Sequence, residues 1–216
     1  MLKAILWDND GVLVDTEGLY FQACRDELAA RGIQIDEADF AATFLKSSAG
    51  IRAFVGDSDE TEFQALRTRR NERYSTLLRR GVEPIAGVED ALKTLRGKVR
   101  MGVVTSSRGD HFEMIHASSG LLPYFDFVLV REDYGRSKPD PEPYLTALER
   151  NGLAADECLV VEDSERGLQA AVAAGIRCAV IPQGLTRTSD FSQAHVVLND
   201  IGELALLALD LMEEKI

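Results

Sequence analysis

The stretch Ala4-Ile5-Leu6-Trp7-Asp8-Asn9-Asp10-Gly11 decides the fold, because an apolar run of strand length delivers two carboxylates into a tight turn. Acids at a buried strand end need a reason, since an unpaired charge taken out of water is costly. Either a cation binds them, or one acid serves as nucleophile and the other as acid/base. A lone Asp-x-Asp-Gly is more often an Asx turn closed by its glycine. The rest of the chain must decide.

Two further apolar runs end in reactive side chains. Met101-Gly102-Val103-Val104 runs into Thr105-Ser106-Ser107-Arg108, and Cys158-Leu159-Val160-Val161 runs into Glu162-Asp163-Ser164. Between them Lys138-Pro139 follows a third run, Phe127-Val128-Leu129-Val130. In an open parallel sheet the carboxyl ends of strands converge on one crevice, so these clusters can meet in space. The pattern from Ile85 onward supports such a sheet. Helical stretches at 87–96, 110–119, 141–151 and 164–174 alternate with strands ending at Val104, Val130, Val161 and Ile181, and Val196-Val197-Leu198 and a helix from about 203 close the chain. Gly120, Gly152 and Gly175 stand where helices end, and Ser164 is placed to cap the helix that follows it. The expected class is α/β, a Rossmann-like parallel sheet with helices on both faces and right-handed crossovers.

Residues 16–84 break this rhythm with helices expected at 18–31, 37–45 and 60–80 and no strand. They read as an inserted helical unit that leaves through the hinge-like Val82-Glu83-Pro84-Ile85-Ala86-Gly87, so the core comprises 1–15 and 85–216.

Together, Asp8-x-Asp10-Gly-Val, Thr105-Ser106, Lys138-Pro139 and Glu162-Asp163-Ser164 resemble, in order and spacing, the four motifs of the haloacid dehalogenase superfamily. The segments Asp10 to Glu17, Ser137 to Pro141 and Glu162 to Gly167 are similar to its β-phosphoglucomutase and sugar-phosphatase branch, and the likeness covers nearly the whole chain. It implies that the helical insert is a cap closing over the active site. Asp10 favours a metal-dependent phosphatase or mutase over the dehalogenases, which lack an acid there.

The residue types suit phosphoryl transfer, which needs an in-line nucleophile, charge neutralisation and a proton for the leaving alkoxide. Asp8 is the expected nucleophile, forming an aspartyl-phosphate, and Asp10 the acid/base. Asp8, the carbonyl of Asp10, Glu162 and Asp163 would supply hard oxygens to Mg²⁺. Thr105, Ser106 and Lys138 would hold the phosphoryl oxygens. Candidate substrate contacts are Tyr20, Lys46 and Arg52 in the insert, with Ser107 and Arg108 in the core. The expected enzyme is a phosphomonoester hydrolase for a small phosphorylated metabolite, a sugar or polyol phosphate. A hexose-phosphate mutase is the alternative, weakened because Tyr20 stands where those mutases carry histidine. A catalytically silent phosphometabolite-binding module is a third reading, but a binder has no need of Asp10.

The 216 residues carry 24 Lys+Arg against 36 Asp+Glu, a net charge of −12, which argues against general nucleic-acid or anionic-membrane binding. Six arginines, Arg67, Arg69, Arg70, Arg73, Arg79 and Arg80, crowd one expected helix; they read as a solvated polar face, with steering of anionic substrates as the other reading. Cys24, Cys158 and Cys178 have no metal-type spacing and are expected to be buried thiols. No apolar stretch approaches membrane-spanning length, and a cytoplasmic monomer is expected.

Overall fold

The computed structural model describes residues 1–46, 49–56 and 59–213. Its strands are β1 (Ala4–Trp7), β2 (Arg100–Val104), β3 (Phe127–Leu129), β4 (Cys158–Glu162), β5 (Arg177–Val180) and β6 (Val196–Val197). They form one sheet in the order β3-β2-β1-β4-β5-β6, and every neighbouring pair is parallel. The chain builds outward from β1 to β3 and then returns to the other side of β1 to lay down β4. That reversal opens a crevice at the carboxyl ends of β1 and β4, where such sheets bind their ligands.

Alternation along the strands explains the two buried faces. Ile5 and Trp7, with Met101, Val103, Leu159 and Val161, pack against α5 (Val88–Leu95), α6 (Gly109–His116) and α9 (Ile201–Glu213). Ala4 and Leu6, with Val104, Val160 and Cys178, pack against α7 (Glu142–Asn151) and α8 (Glu165–Ala173). Helix α5 shows the logic, since Val88, Ala91, Leu92 and Leu95 make one apolar stripe and all are buried. Emptying such a position, as in Leu92→Ala, costs about 2–5 kcal/mol. Ser164 caps α8 as expected, accepting from the Gly167 amide at 3.2 Å. The α6 helix stops at His116, three residues short of the expected end, where Ser119 turns back to bond the His116 ring.

The insert is helical, with α1 (Glu17–Ala29), α2 (Glu37–Phe40) running into a π-helical turn (Ala41–Leu45), α3 (Arg52–Val55) and α4 (Glu60–Leu78). The single helix expected over 37–45 is therefore two kinds of helix, and α3 was not expected. Helix α1 packs along α4, and Cys24, Leu28, Phe40, Phe44 and Leu66 make a cluster separate from the sheet's two. Glu27 of α1, buried, accepts from Arg69 and Arg73 of α4 at 2.8 and 3.0 Å. The two connections to the core lie side by side, joined by Ile85 N–H to Leu13 carbonyl at 3.0 Å. All three cysteines are buried and free of disulfides, as expected. No helix among the described residues is long and apolar enough to cross a membrane.

Candidate active site

Asp8 leaves β1 with its amide still bonded to the Val161 carbonyl at 2.9 Å, which points the Asp8 turn at the turn after β4. Gly11 makes the approach possible: its φ is +80°, and a Cβ there would lie 2.1 Å from Asp163 Oδ2. Lys138 reaches in from the loop before α7. Its Nζ donates to Asp8 Oδ1 at 2.8 Å, Glu162 Oε1 at 2.7 Å and the Val104 carbonyl at 2.9 Å. Glu162 Oε1 also accepts from the Tyr144 hydroxyl at 2.7 Å, and Oε2 from Ser164 Oγ at 3.2 Å. Gly167 gives this carboxylate its room, because a Cβ there would sit 2.0 Å from the Glu162 carboxyl carbon.

Asp8, Glu162 and Asp163 each offer an oxygen within 4.8 Å of the others, and all three are buried. One lysine pairs with two of these three acids. Burial and the Glu162 charge push the Asp8 carboxyl up to about 7 in spite of Lys138. Burial and the charges of Glu162 and Asp8 carry Asp163 well above the usual carboxylate range. Glu162 goes the other way: burial would raise it, but the Lys138 charge and hydrogen bonds outweigh that and hold it below its ordinary value. Lys138 is raised: burial disfavours its charge, but Asp8 and Glu162 more than offset that. An excess of buried carboxylate oxygens of this kind is the donor set of a hard divalent cation.

Asp10 faces the cavity beside this cluster. Its Oδ2 accepts from Ser107 Oγ at 2.6 Å, Asn9 Nδ2 at 3.3 Å and Thr105 Oγ1 at 3.4 Å, while Oδ1 accepts from Thr16 Oγ1 at 2.5 Å. Asn9 is itself anchored, for its Oδ1 meets His116 Nε2 at 2.7 Å and His116 Nδ1 meets Ser119 Oγ at 2.8 Å. Burial drives His116 down to about 4, so the ring is neutral, and the amide oxygen of Asn9 requires the proton on Nε2. On the β2 side the Ser106 hydroxyl is buried near the Tyr134 hydroxyl, with no hydrogen bond of good geometry among the described residues, and Thr105 Oγ1 accepts the Ser107 amide at 3.0 Å.

Beside these groups lies a cavity of about 280 Å³ between the sheet and the insert. The structure brings Asp8, Asp10, Ser106, Ser107, Lys138, Asp163, Tyr20 and Arg108 to its wall. Arg108 arrives already bound to Asp110, at 3.0 and 2.8 Å. Lys46 and Arg52 are not brought there, which corrects the sequence expectation. Lys46 Nζ points at the Thr188 carbonyl at 3.5 Å. Arg52 lies on the short α3, paired with Glu60 at 2.6 Å and stacked over the Phe63 ring. The arginine-rich helix is also more than a solvated face, because Arg67 and Arg70 of α4 line the cavity together with Asn71 and Tyr74.

A family model described as haloacid dehalogenase-like hydrolase matches residues 5–181. The chain belongs to that family. It is 33% identical to the fructose-1-phosphate phosphatase YqaB of Escherichia coli over 80% of this chain and 92% of the relative. It is 29% identical to the protein CbbY of Rhodobacter capsulatus, over 96% of this chain and 97% of the relative. Among solved structures, CbbY of Rhodobacter sphaeroides in complex with phosphate superposes with a TM-score of 0.84 at 28% identity, covering 97% of this chain and 100% of that one. The same protein has been seen with xylulose-1,5-bisphosphate, again at a TM-score of 0.84, with 26% identity and coverage of 97% and 99%.

Sequence reasoning missed several residues of this haloacid dehalogenase-like site. Tyr144, Asn9 and His116 carry no motif signal, since their roles depend on partners 18 to 107 residues away. Arg70 did carry one. It falls on the stripe Leu66, Arg70, Tyr74, Leu77, where helical periodicity demands an apolar residue.

Proposed function

We propose that the protein is a Mg²⁺-dependent phosphomonoester hydrolase that works through an aspartyl-phosphate on Asp8 and takes a sugar or polyol phosphate. The observation that carries this reading is the surplus of buried carboxylate at Asp8, Glu162 and Asp163, where Lys138 pairs with Asp8 and Glu162 and the Arg166 charge acts on Asp163, placed beside Asp10. Asp8, Asp163, Glu162 and the Asp10 carbonyl would hold the cation. When bound, Mg²⁺ supplies charge neutralisation that lets an anionic carboxylate and a phosphate dianion meet.

The remaining steps belong to the side chains. Lys138 holds Asp8 Oδ1 and fixes the rotamer, which leaves the other oxygen to attack phosphorus. As the Asp8 oxygen–phosphorus bond forms, the bond to the leaving oxygen breaks, and Asp10 gives that oxygen its proton. Asp10 then takes a proton from water, whose oxygen displaces Asp8 and releases inorganic phosphate. The Ser106 hydroxyl, buried and without a well-formed hydrogen bond among the described residues, suits a phosphoryl oxygen. Relatives that act on fructose 1-phosphate or on phosphorylated carbohydrates support the substrate class.

The test is phosphate release from a panel of sugar and polyol phosphates and from 4-nitrophenyl phosphate. Turnover should require Mg²⁺, vanish in excess chelator and return on adding the ion. Full activity in chelator refutes the reading.

A further inference from the structure

His116 is buried on α6, and the chemistry above makes no use of it. It falls on the buried stripe of that helix with Phe112 and Ile115, a position at which helical spacing calls for an apolar side chain, and its ring lies 4.5 Å from the Phe112 ring. Its partner is equally out of place. Asn9 is 0% exposed and continues the alternation of Ile5 and Trp7, so it stands on the face that α6 covers. Buried polar side chains cost free energy unless their hydrogen bonds are made, and the bonds of these two lead to the catalytic turn.

The direction of that chain of bonds is fixed at both ends. The Leu121 amide can only donate, and it donates to Ser119 Oγ at 3.2 Å, which leaves the Ser119 proton for His116 Nδ1 at 2.8 Å. The neutral ring therefore carries its own proton on Nε2 and gives it to Asn9 Oδ1 at 2.7 Å. The nitrogen of the Asn9 amide is thereby turned the other way, and Nδ2 donates to Asp10 Oδ2 at 3.3 Å. The reverse arrangement would set the Asn9 oxygen against a carboxylate oxygen. Orientation is carried in this way from the loop after α6 to the acid after β1.

Asp10 gives a proton to the leaving oxygen and then takes one from water, so the orientation of its carboxylate bears on both half-reactions. We infer that His116 and Asn9 are positioning residues for Asp10: they present an N–H to Oδ2 and keep the carboxylate aimed for proton exchange with the leaving group and with water. The inference rests on the phosphatase reading above and adds to it two side chains buried behind the turn. Without a donor at position 116 nothing distinguishes the two ends of the Asn9 amide, and its oxygen is free to turn toward Asp10.

The test measures kcat and KM with Mg²⁺ at neutral pH, for the best sugar phosphate and for 4-nitrophenyl phosphate, in the unsubstituted protein, His116→Leu and His116→Gln. His116→Leu removes the donor and should lower kcat on the sugar phosphate about tenfold, a fraction of the 10²–10⁴ that general acid–base catalysis supplies, with KM held within about twofold. On 4-nitrophenyl phosphate, whose leaving group needs little protonation, the loss should be less than about threefold. Glutamine restores a donor for Asn9, so His116→Gln should recover kcat on the sugar phosphate to within about threefold of the unsubstituted protein. Equal losses on the two substrates, equal behaviour of leucine and glutamine, or a loss confined to KM overturns the inference. Should His116→Leu fail to fold, Ser119→Ala, at a half-buried turn position, decides by showing the same split at about three- to fivefold or showing none. If the unsubstituted protein hydrolyses no phosphate ester with Mg²⁺, the phosphatase reading fails and this assignment falls with it. Hydrolysis without the split refutes the assignment alone.

Discussion

Two charge clusters share one cavity and are built in opposite senses. On the core side, Lys138 pairs with Asp8 and Glu162 beside Asp163, and acid is in excess. On the side of the insert, Arg70 and Arg67 line the wall with no carboxylate paired to them among the described residues. Burial makes the acid cluster and Arg70 costly for the free protein, and each becomes more favourable with a ligand of the opposite sign. The core cluster is suited to a cation and to the reacting phosphoryl group, the other to the rest of an anionic substrate. On the function proposed above, chemistry and selection belong to different parts of the chain, and substitutions should separate them.

The largest effect is expected in the core. Asp8→Asn should abolish turnover on every substrate and leave no phosphoenzyme to trap. Asp10→Asn should retain binding and lose about 10²–10⁴-fold in kcat, the range of general acid–base catalysis. That loss should be smallest for 4-nitrophenyl phosphate, whose leaving group needs little protonation. An equal loss on aryl and alkyl phosphates would make Asp10 structural and would blur the division between the two clusters.

The next effect is on stability. Asp8, with a carboxyl near 7 in place of 3.8, binds its proton more tightly folded than unfolded. Its contribution is neutral below about pH 4 and becomes destabilising as pH rises through about 7; raised Asp163 has the same sign. A divalent cation offsets that penalty. The rise in Tm on adding Mg²⁺ should therefore be larger at pH 7.5 than at pH 5, by several degrees at about 2–4 °C per kcal/mol for a chain of this size. A Tm increment that is flat or falls across this range would remove the acid cluster as the binding site.

What the sequence discloses and what it hides follow the same line. The core was legible because its chemistry stands at the ends of apolar runs: Asp8 after β1, Thr105 and Ser106 after β2, Glu162 closing β4 and Asp163 just after it. A parallel sheet converts those ends into neighbours without any further information. Lys138 was legible as a charge but not as the partner of both Asp8 and Glu162, because that pairing depends on how the loop before α7 enters the crevice. The insert was harder to read. Its two long helices were foreseen, yet Lys46 and Arg52 stand at the π-helical turn at 41–45 and on the four-residue α3, neither of which leaves a periodic trace.

A smaller effect is expected behind the catalytic turn. His116, depressed from 6.5 to about 4 by burial, binds its proton less tightly folded than unfolded. The stability this neutral ring allows is complete above about pH 6.5 and declines as pH falls toward 4. Glutamine can donate to Asn9 and accept from Ser119 without titrating. His116→Gln should flatten the acid limb of the Tm profile between pH 6.5 and 4 while retaining activity at neutral pH. An unchanged acid limb would locate the acid sensitivity elsewhere.

The smallest effect is expected where sequence and structure disagree, at Lys46 and Arg52. The resemblance to sugar phosphatases implied substrate contacts there, whereas Lys46 faces the Thr188 carbonyl and Arg52 pairs with Glu60 at 42% and 66% side-chain exposure. An exposed ion pair of this kind is worth about 0–1 kcal/mol. Arg52→Ala and Lys46→Ala should therefore change kcat/KM by less than about threefold on both the best sugar phosphate and 4-nitrophenyl phosphate, within the roughly tenfold that 1.4 kcal/mol represents. A loss above tenfold confined to the sugar phosphate would mean that the insert turns these two side chains into the cavity during turnover. Selection would then be shared between α4 and the segment before it, and the contrast drawn between the two sides of the cavity would have to be redrawn around a moving cap.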